Sequence, residues 1–229
     1  MSGPVEGTVS SVMSQLWHAR FSHQGVAVLP AVASLYQLKI PHLNMSGTTA
    51  SPCIHCLNGH GRRSKIFKAT ANSKNLIPAT RPGQRLHCDL SGAVSTKIGT
   101  KSYRVPTTGG AIYLLAVVDE YSRYTFAKVL PYKHMVPAVI NEIVEWFKNH
   151  LGLPVSEIHS DGGTEFINQY VTTPLKAQGG TQTRTTVDTP QHNGIAERTI
   201  GTLFEMERSQ RSHSSAPQEL WGESILHAA

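Results

Sequence analysis

The stretch that begins IHSDGGTEF at Ile158 and ends DTPQHNGIAER at Arg198 determines the architecture that we predict for this chain. It contains two acids, Asp161 and Glu197, with 35 residues between them. Asp161 follows an apolar run at 155–158, typical of a short buried strand, and precedes two glycines at which the chain must turn. Glu197 lies in a segment whose apolar residues repeat at helical spacing, and we expect its side chain to point toward the core.

A third acid, Asp89, lies in the segment RLHCDL, whose apolar residues alternate with polar ones as on a half-buried strand. A buried carboxylate costs free energy unless it has a partner, and a second carboxylate nearby raises that cost. A divalent cation relieves both costs, and hard oxygen ligands suit Mg²⁺ or Mn²⁺. Asp89, Asp161 and Glu197 are therefore our candidate metal ligands and catalytic residues, of the kind that two-metal sites use in phosphodiester chemistry.

These acids, with the phrases VVDEYSRYTF, SDGGTEF and TPQHNGIAER, resemble the integrase core of a copia-type retrotransposon polyprotein, in the retroviral integrase superfamily. The resemblance extends from about Leu16 to the last residue. It implies an RNase H-like core in which the three acids bind Mg²⁺, water trims the DNA ends of the element, and the resulting 3′-hydroxyl attacks target DNA. It further implies that Asn193 and Arg198 lie beside the active site and bind nucleic acid, Asn193 by positioning its loop and Arg198 by contacting phosphate. DNA is the implied partner, and the chain is expected to assemble as a homo-oligomer.

Three motif positions depart from the family. Gly92-Ala93 stands where Gly-Pro is usual, DGGT at 161–164 stands where DNGG is usual, and RTIGT at 198–202 replaces RKNRT. Two basic residues of the DNA-facing helix are thereby missing, and each lost phosphate contact lowers affinity and its salt dependence. The alternative function is a catalytically inert, decayed or domesticated integrase fragment that only binds nucleic acid or a partner. A nuclease acting on RNA in a hybrid is a third hypothesis, against which the zinc-binding pattern described next argues.

A zinc-binding pattern lies in the N-terminal part of the chain. His18 and His23 are followed by Cys53 and Cys56, which form a C-x-x-C pair. Two imidazoles and two thiolates match a closed tetrahedral zinc site, in which the metal supplies folding free energy to a unit too small to fold alone. His55 and His60 are alternative ligands. The pattern also resembles the pre-integrase zinc domain of the same family.

Charge and composition agree with nucleic-acid binding. Residues 1–84 hold 8 Lys/Arg against 1 acid (+7), and residues 85–229 hold 13 against 14 (−1), which gives the net +6. The segment 61–84 is the most basic, and we predict DNA-phosphate contacts there, although a merely solubilising linker would have the same composition. The predicted contacts are those of Arg62, Arg63, Lys65 and Lys68.

Hydropathy and cysteine usage bound the cellular setting. The chain has no run of 18 apolar residues and no secretory leader, so we expect no membrane partner. Three cysteines argue against a disulfide framework and for an intracellular protein. The nucleus is expected if the host is a eukaryote.

The expected fold is α/β, with a mixed five-stranded sheet flanked by helices and a small helical zinc domain ahead of it. We predict strands at 85–90, 112–118 and 124–130 in an antiparallel meander, a helix from Val136, and a strand at 155–160 parallel to the first. Asp119 and Glu120 are interpreted as solvated turn residues. The predicted domains are a disordered lead-in (1–13), the zinc-binding domain (14–60), the basic linker (61–84), the catalytic core (85–212) and the start of a further helix (213–229), cut short as in a fragment. The residues SAPQ at 215–218 predict a capping box at the start of that helix.

Overall fold

The computed structural model describes residues 6–25, 28–35, 37–38, 53–59, 77–92, 94–98, 100–184 and 194–229. The chain divides into two compact units, Met1–Arg63 with Leu203–Ala228, and Ser64–Thr202. The predicted contacts of Arg62, Arg63, Lys65, Lys68 and Asn193 fall outside the described residues, as does the alternative ligand His60.

The second unit is built on a five-stranded sheet of order β5-β4-β1-β6-β7, beside a separate two-stranded hairpin of β2 and β3. The strands are β1 Arg85–Gly92, β2 Ser95–Ile98, β3 Lys101–Arg104, β4 Tyr113–Asp119, β5 Thr125–Leu130, β6 Glu157–Ser160 and β7 Thr181–Arg184. β4 pairs antiparallel with β1 and β5, whereas β6 pairs parallel with β1 and β7. The predicted mixed α/β sheet, with its meander and its parallel return strand, is confirmed.

The parallel return of β6 depends on helix α4 (Val136–Leu151), which crosses between β5 and β6. Its apolar residues recur at helical spacing and pack on the buried face of the sheet, where each full burial of a Val, Ile or Phe side chain contributes roughly 1.5–3 kcal/mol. Pro137 lies in its first turn, and Gly152 ends it in the left-handed conformation (φ 65°), donating its N–H to the last-turn carbonyls. α5 (Gln169–Ala177) then leads to β7, with the side chain of Asn168 capping its first turn.

The first unit is helical. Its N-terminal part contains α1 (Glu6–Arg20), α2 (Leu29–Leu35) and α3 (Ile54–Gly59). Its C-terminal part contains the second half of α6 (Gly194–Ser214) and α7 (Trp221–Ala228), with a 3₁₀ turn at Gln218–Leu220 between them. The buried side chains of this unit include Leu29, Met206, Trp221 and Ile225. None of the helices in the described part of the chain is long and apolar enough to span a bilayer.

Two local predictions are wrong. The disordered lead-in was expected to reach residue 13, but α1 begins at Glu6. The Gly, Ser, Thr and Val residues of this segment are poor helix formers without an apolar period, so the sequence gives no local signal for the helix. A capping box was also expected at 215–218, but no side chain caps the 3₁₀ turn that follows Pro217.

Candidate metal centres

Asp89 and Asp161 come together because of the register between β1 and β6. The parallel pairs are Arg85 with Glu157, His87 with His159, and Cys88 with Ser160, so the next positions along the two strands are Asp89 and Asp161. Residues two apart on a strand face the same side of a sheet, and paired residues of parallel neighbours share that side. One face of these strands therefore carries a ladder of polar pairs that ends at two acids.

The first two steps of this ladder are held by hydrogen bonds. Arg85 donates to Glu157 at 2.8 Å and to Glu120 at 3.1 Å. The hydrogen bonds of His87 to Glu120 and of Thr183 to Glu157, together with those of Arg85, hold the carboxyl pKa values of both glutamates below their usual range despite burial. His87 Nε2 lies 2.8 Å from the same Glu120 carboxylate, and burial lowers the pKa of that imidazole. The opposite face carries Leu86 and Cys88, which are fully buried in the core.

The acid pair at the end of the ladder is not compensated in this way. Asp89 is half-buried and accepts one hydrogen bond, from the N–H of Leu90. Burial, and then the charges of Asp161 and Glu197, raise the pKa of the Asp89 carboxyl to about 6. Asp161 is exposed, and its Oδ1 accepts the N–H of Gly163 at 3.0 Å. A cation bound between the two carboxylates would offset their mutual repulsion.

Glu197 lies in the first turn of α6, within the same unit. The prediction that its side chain points toward the core is wrong, because Glu197 is exposed. The buried stripe of the helix runs through Ala196, Ile200 and Leu203, and Glu197 lies at its edge. Its charge nevertheless contributes to the raised pKa of Asp89, so the three acids form one electrostatic group. Arg198, the neighbour predicted to contact phosphate, is also exposed.

Glu165 is a fourth acid beside this group, which the sequence analysis did not select. A Cβ atom added to Gly163 would lie 2.9 Å from Glu165 Oε2 and 3.0 Å from Asp161 Oδ1, so the two carboxylates flank a position where only glycine fits without displacement. Glu165 also accepts a hydrogen bond from Lys133 Nζ at 2.8 Å. Its position four residues after Asp161 in SDGGTEF was a usable signal.

Asp119 and Glu120, interpreted from sequence as solvated turn acids, prove to be structural. Asp119 is fully buried, and its carboxylate accepts hydrogen bonds from the N–H of Gly83, the N–H of Ser122 and the Ser122 hydroxyl, at 2.6–2.9 Å. Glu120 joins Arg85 and His87, as described above, and accepts the N–H of Ala79. These bonds tie the residues ahead of β1 to the β4–β5 turn, at the opposite end of the sheet from Asp89.

The N-terminal ligand set is assembled in the first unit. Among the residues that the structure describes, His18, His23, Cys53 and Cys56 are the group of potential ligands drawn closely together, with their ligand atoms all within 4.8 Å of one another. His18 Nε2 lies 3.2 Å from His23 Nδ1 and 3.1 Å from Cys56 Sγ, and His23 Nδ1 lies 3.5 Å and 3.6 Å from the two sulfurs. Tetrahedral zinc with ordinary bond lengths separates N from N by about 3.4 Å and N from S by about 3.6 Å. The four residues therefore fit that ion.

Outer contacts orient both imidazoles of this set. His18 Nδ1 lies 2.6 Å from the carbonyl of Gln24, and His23 Nε2 lies 3.1 Å from Nδ1 of His213 on α6. Such partners fix which ring nitrogen is free to bind a metal. His55 points instead to the Ser212 hydroxyl at 3.0 Å, which removes it from the predicted alternatives among the described residues. Burial, with the neighbouring Cys53 thiol adding to it, raises the pKa of the Cys56 thiol to about 11.

Comparisons with known proteins identify the family. The family model of the integrase core domain matches residues 79–199, more than half of the chain. The chain belongs to the integrase core domain family. It is 24% identical over 99% of its length to the retrovirus-related Pol polyprotein from transposon TNT 1-94 of Nicotiana tabacum, and 27% identical over 90% to that from transposon RE1 of Arabidopsis thaliana. It spans only 16% and 13% of these relatives.

The resemblance to copia-type retrotransposon integrases, expected from the motifs, is confirmed by these relatives and by a Ty1 Gag-Pol polyprotein of Saccharomyces cerevisiae, 26% identical over 90% of the chain. Solved structures with a similar fold include the catalytic core domain of BIV integrase, at 18% identity and a TM-score of 0.42, covering 63% of this chain and 81% of that one. The HTLV-2 integrase catalytic core domain in complex with magnesium matches at 17% identity and a TM-score of 0.42, covering 64% and 82%.

Proposed function

We propose that this chain is the catalytic region of a copia-type retrotransposon integrase, which trims the 3′ ends of the element's DNA and transfers them into target DNA. Asp89, Asp161 and Glu197 are the proposed catalytic acids and ligands of Mg²⁺ or Mn²⁺. The observation that carries this proposal is the parallel register that ends at Cys88 with Ser160 and so places Asp89 and Asp161 next to each other, with the charges of Asp161 and Glu197 both acting on Asp89. Membership of the integrase core family supports the assignment.

The three proposed catalytic acids differ in how far they are buried. The half-buried Asp89 is the fixed member, because its carboxylate lies within a strand of the central sheet. Asp161 and Glu197 are exposed, and they face the solvent from which DNA would approach. A bound divalent ion would supply the Lewis acidity that activates water and neutralises charge on the reacting phosphate. The chain's contribution is to hold three carboxylates at one place and to leave that place open.

No covalent protein intermediate is needed in this scheme. Cys88, the residue just before the first acid, is fully buried on the opposite face of the strand, and burial raises the pKa of its thiol far above the ordinary range. A thiol of that kind is a poor nucleophile. The proposed attacking groups are therefore water in the trimming step and the DNA 3′-hydroxyl in the transfer step.

We further propose that His18, His23, Cys53 and Cys56 hold a structural Zn²⁺. The four ligands close a tetrahedron without a place for water or substrate, which is the arrangement of structural rather than catalytic zinc. The orientation of His18 and His23 by Gln24 and His213 supports the same ligand set. Zinc content of the purified chain, measured by atomic emission, is expected to be one ion per chain, and the Cys56→Ser variant is expected to lose it.

DNA cutting by the Asp161→Asn variant tests the catalytic proposal. With Mn²⁺ and a labelled duplex that carries a terminal sequence of the element, the wild type should release a shortened 3′ end. Asp161→Asn should reduce that product at least 100-fold, because a metal ligand is lost. Glu142→Gln, which removes an exposed acid from α4, is the matched control and should cut normally. Equal cutting by Asp161→Asn and the wild type would refute the assignment.

A nucleic-acid-binding protein without cutting activity is the second candidate. It is favoured by one observation, that the three acids do not form a group as tight as the His/Cys set among the described residues. If the wild type binds the duplex but releases no product with either Mn²⁺ or Mg²⁺, while Asp161→Asn binds equally well, this second function replaces the first.

A further inference from the structure

The hairpin of β2 and β3 stands apart from the structural framework of its unit. Its strands pair with each other, from Ser95 with Arg104 to Ile98 with Lys101, and they form a sheet separate from the five-stranded one. All four residues of β3 are exposed. An isolated two-stranded hairpin is at best marginally stable in water, and a strand whose side chains are all exposed adds little to the core. We therefore looked to function, rather than stability, to explain why the hairpin is present.

The charge of this segment has one sign. Residues 90–118, which connect β1 through the hairpin to β4, contain Lys97, Lys101 and Arg104 but no Asp or Glu. None of the acids in the described part of the chain forms a salt bridge with Lys101 or Arg104. The hairpin thus presents positive charge that no acid among the described residues neutralises by a salt bridge.

A row of contacts connects the base of the hairpin to the catalytic acids. Arg104 donates to the hydroxyl of Tyr113 at 3.2 Å, and its guanidinium lies 5.5 Å from the centre of that ring. Lys133 Nζ lies 5.8 Å from the same ring and bonds to Glu165, which flanks Asp161 across Gly163. Tyr113 is itself paired with Gly92 at the end of β1, three residues after Asp89. All of these residues belong to the second unit.

The two cations of this row differ in what balances them. Lys133 is balanced by Glu165, whereas the contacts of Arg104 with other side chains in the described part of the chain are to the face and hydroxyl of Tyr113. Contact with an aromatic ring fixes the direction of a guanidinium without cancelling its charge. Arg104 is therefore oriented and still available to bind an anion beside the acids.

We propose that the β2–β3 hairpin is a DNA-binding arm, in which Arg104 and Lys101 bind the backbone phosphates next to the phosphate that reacts. This inference rests on the proposed function for its choice of DNA as the ligand. Two-stranded ribbons fit the major groove of B-DNA, so a hairpin of this kind can approach the phosphates that border the groove. Lys101 lies three residues from Arg104, roughly 10 Å along an extended strand, which is enough to reach a second phosphate.

The salt dependence of DNA binding tests this arm. Affinity for a labelled duplex is measured by fluorescence anisotropy in Ca²⁺, between 50 and 250 mM salt, for the wild type and for Lys101→Ala/Arg104→Ala. Each lost phosphate contact lowers the slope of log K against log salt by about 0.9, so the double variant should lose about 2 in slope. Its affinity at low salt should fall about tenfold or more. Both side chains are exposed, and a thermal melt checks that the fold is kept.

Lys148→Ala is the matched control. It removes one exposed lysine from the last turn of α4. This helix begins directly after the turn that contains Lys133, and its 16 residues span about 24 Å, so the control lies at the far end of the helix from Lys133. This variant should keep the slope and affinity of the wild type. An unchanged slope and affinity in the double variant, or an equal loss in Lys148→Ala, would overturn the inference.

DNA binding and DNA cutting by the wild type, Asp161→Asn and the double variant distinguish failure of this inference from failure of the proposed function. If the double variant loses its slope and affinity but the wild type never cuts DNA with Mn²⁺, the arm stands and the catalytic proposal fails. If the wild type cuts, Asp161→Asn does not, and the double variant binds and cuts as the wild type does, the catalytic proposal stands and the arm fails.

Discussion

The two sets of candidate metal ligands differ in how completely the protein alone assembles them. In the first unit, two imidazoles and two thiolates lie at distances close to those around tetrahedral zinc, and both histidines are buried. In the second unit, two of the three carboxylates are exposed, and they share an electrostatic field without forming a tight group. The ligand types explain the contrast, because neutral imidazoles and thiols can pack together without a metal, whereas carboxylates repel one another.

This contrast separates a structural metal from a catalytic one. A closed site can contribute to the fold but leaves no position for a substrate, whereas an open site binds its metal less rigidly and keeps room for a reacting group. Substitution of the His/Cys ligands should therefore lower the stability of the first unit, whereas substitution of the three acids should abolish DNA cutting without a large loss of stability. The following predictions test that division.

The largest effect is expected from the zinc ligands. Cys53→Ser should abolish zinc binding and the cooperative unfolding of the first unit, a loss of several kcal/mol, because binding of a structural metal supplies much of the folding free energy of a small unit. His55→Asn, two residues further along in α3, is the control, since His55 contacts Ser212 rather than the ligand atoms. Zinc content and thermal melts check the pair. Equal zinc loss in both variants would show that the ligand set is misassigned.

The next effect concerns an acid that is structural rather than catalytic. Asp119→Ala removes the acceptor of three hydrogen bonds, one from the buried N–H of Gly83 and two from Ser122, and we expect it to cost about 2–4 kcal/mol of unfolding free energy. Chemical denaturation followed by tryptophan fluorescence measures this loss, with Glu142→Ala as the exposed control. A loss below about 0.5 kcal/mol would mean that these hydrogen bonds are not formed in solution.

A smaller effect of opposite sign is expected at Asp89. Its carboxyl has a pKa of about 6 in the folded state, above the ordinary value of 3.8, so the folded state binds more protons than the unfolded state between those pH values. Stability without divalent metal should therefore fall as pH rises through this window. Asp89→Asn removes the penalty and should stabilise the metal-free protein at pH 7.5 by on the order of 1 kcal/mol.

Denaturation at pH 4 and pH 7.5, with EDTA added after zinc is bound and its retention verified, checks this sign. The gain from Asp89→Asn should shrink at pH 4, where the native carboxyl is already protonated. A variant that is less stable than the wild type at pH 7.5 would show that the acids are compensated in the absence of metal.

The smallest effect on stability is expected at Glu197. Since Glu197 is exposed in the first turn of α6, Glu197→Gln should change the unfolding free energy by less than about 0.5 kcal/mol. The side chain is nearly isosteric, and no described residue depends on it for burial. A thermal melt beside the wild type measures this, and a loss comparable with that of Asp119→Ala would contradict the open character of the site.

The central sheet could be predicted from sequence because its signals are local. The alternation in RLHCDL, the helical repeat of α4 and the glycine after it each depend on residues within a few positions, and together they set the parallel return of β6. The zinc ligands were equally accessible, since their spacing and chemistry limit the choices. For both ligand sets, the sequence identified residues that the structure brings near one another.

Long-range contacts decided what could not be predicted. The burial of Asp119 depends on the N–H of Gly83, 36 residues away, and the orientation of His23 depends on His213, 190 residues away. Glu197 was assigned to the buried stripe because helical spacing alone does not say where that stripe is centred, and packing centres it on Ala196 and Ile200. Arg104 and Lys133 were missed because only the fold brings both beside Tyr113.

The most direct test of the open, catalytic site is metal-dependent nicking of a short labelled duplex at low salt by the wild type and Glu197→Gln, both loaded with one zinc per chain. We expect product from the wild type only when Mn²⁺ or Mg²⁺ is added, and at least 100-fold less from Glu197→Gln at equal stability. Nicking by both proteins alike, or nicking that needs no metal beyond the bound zinc, would contradict the assignment of catalysis to the three acids.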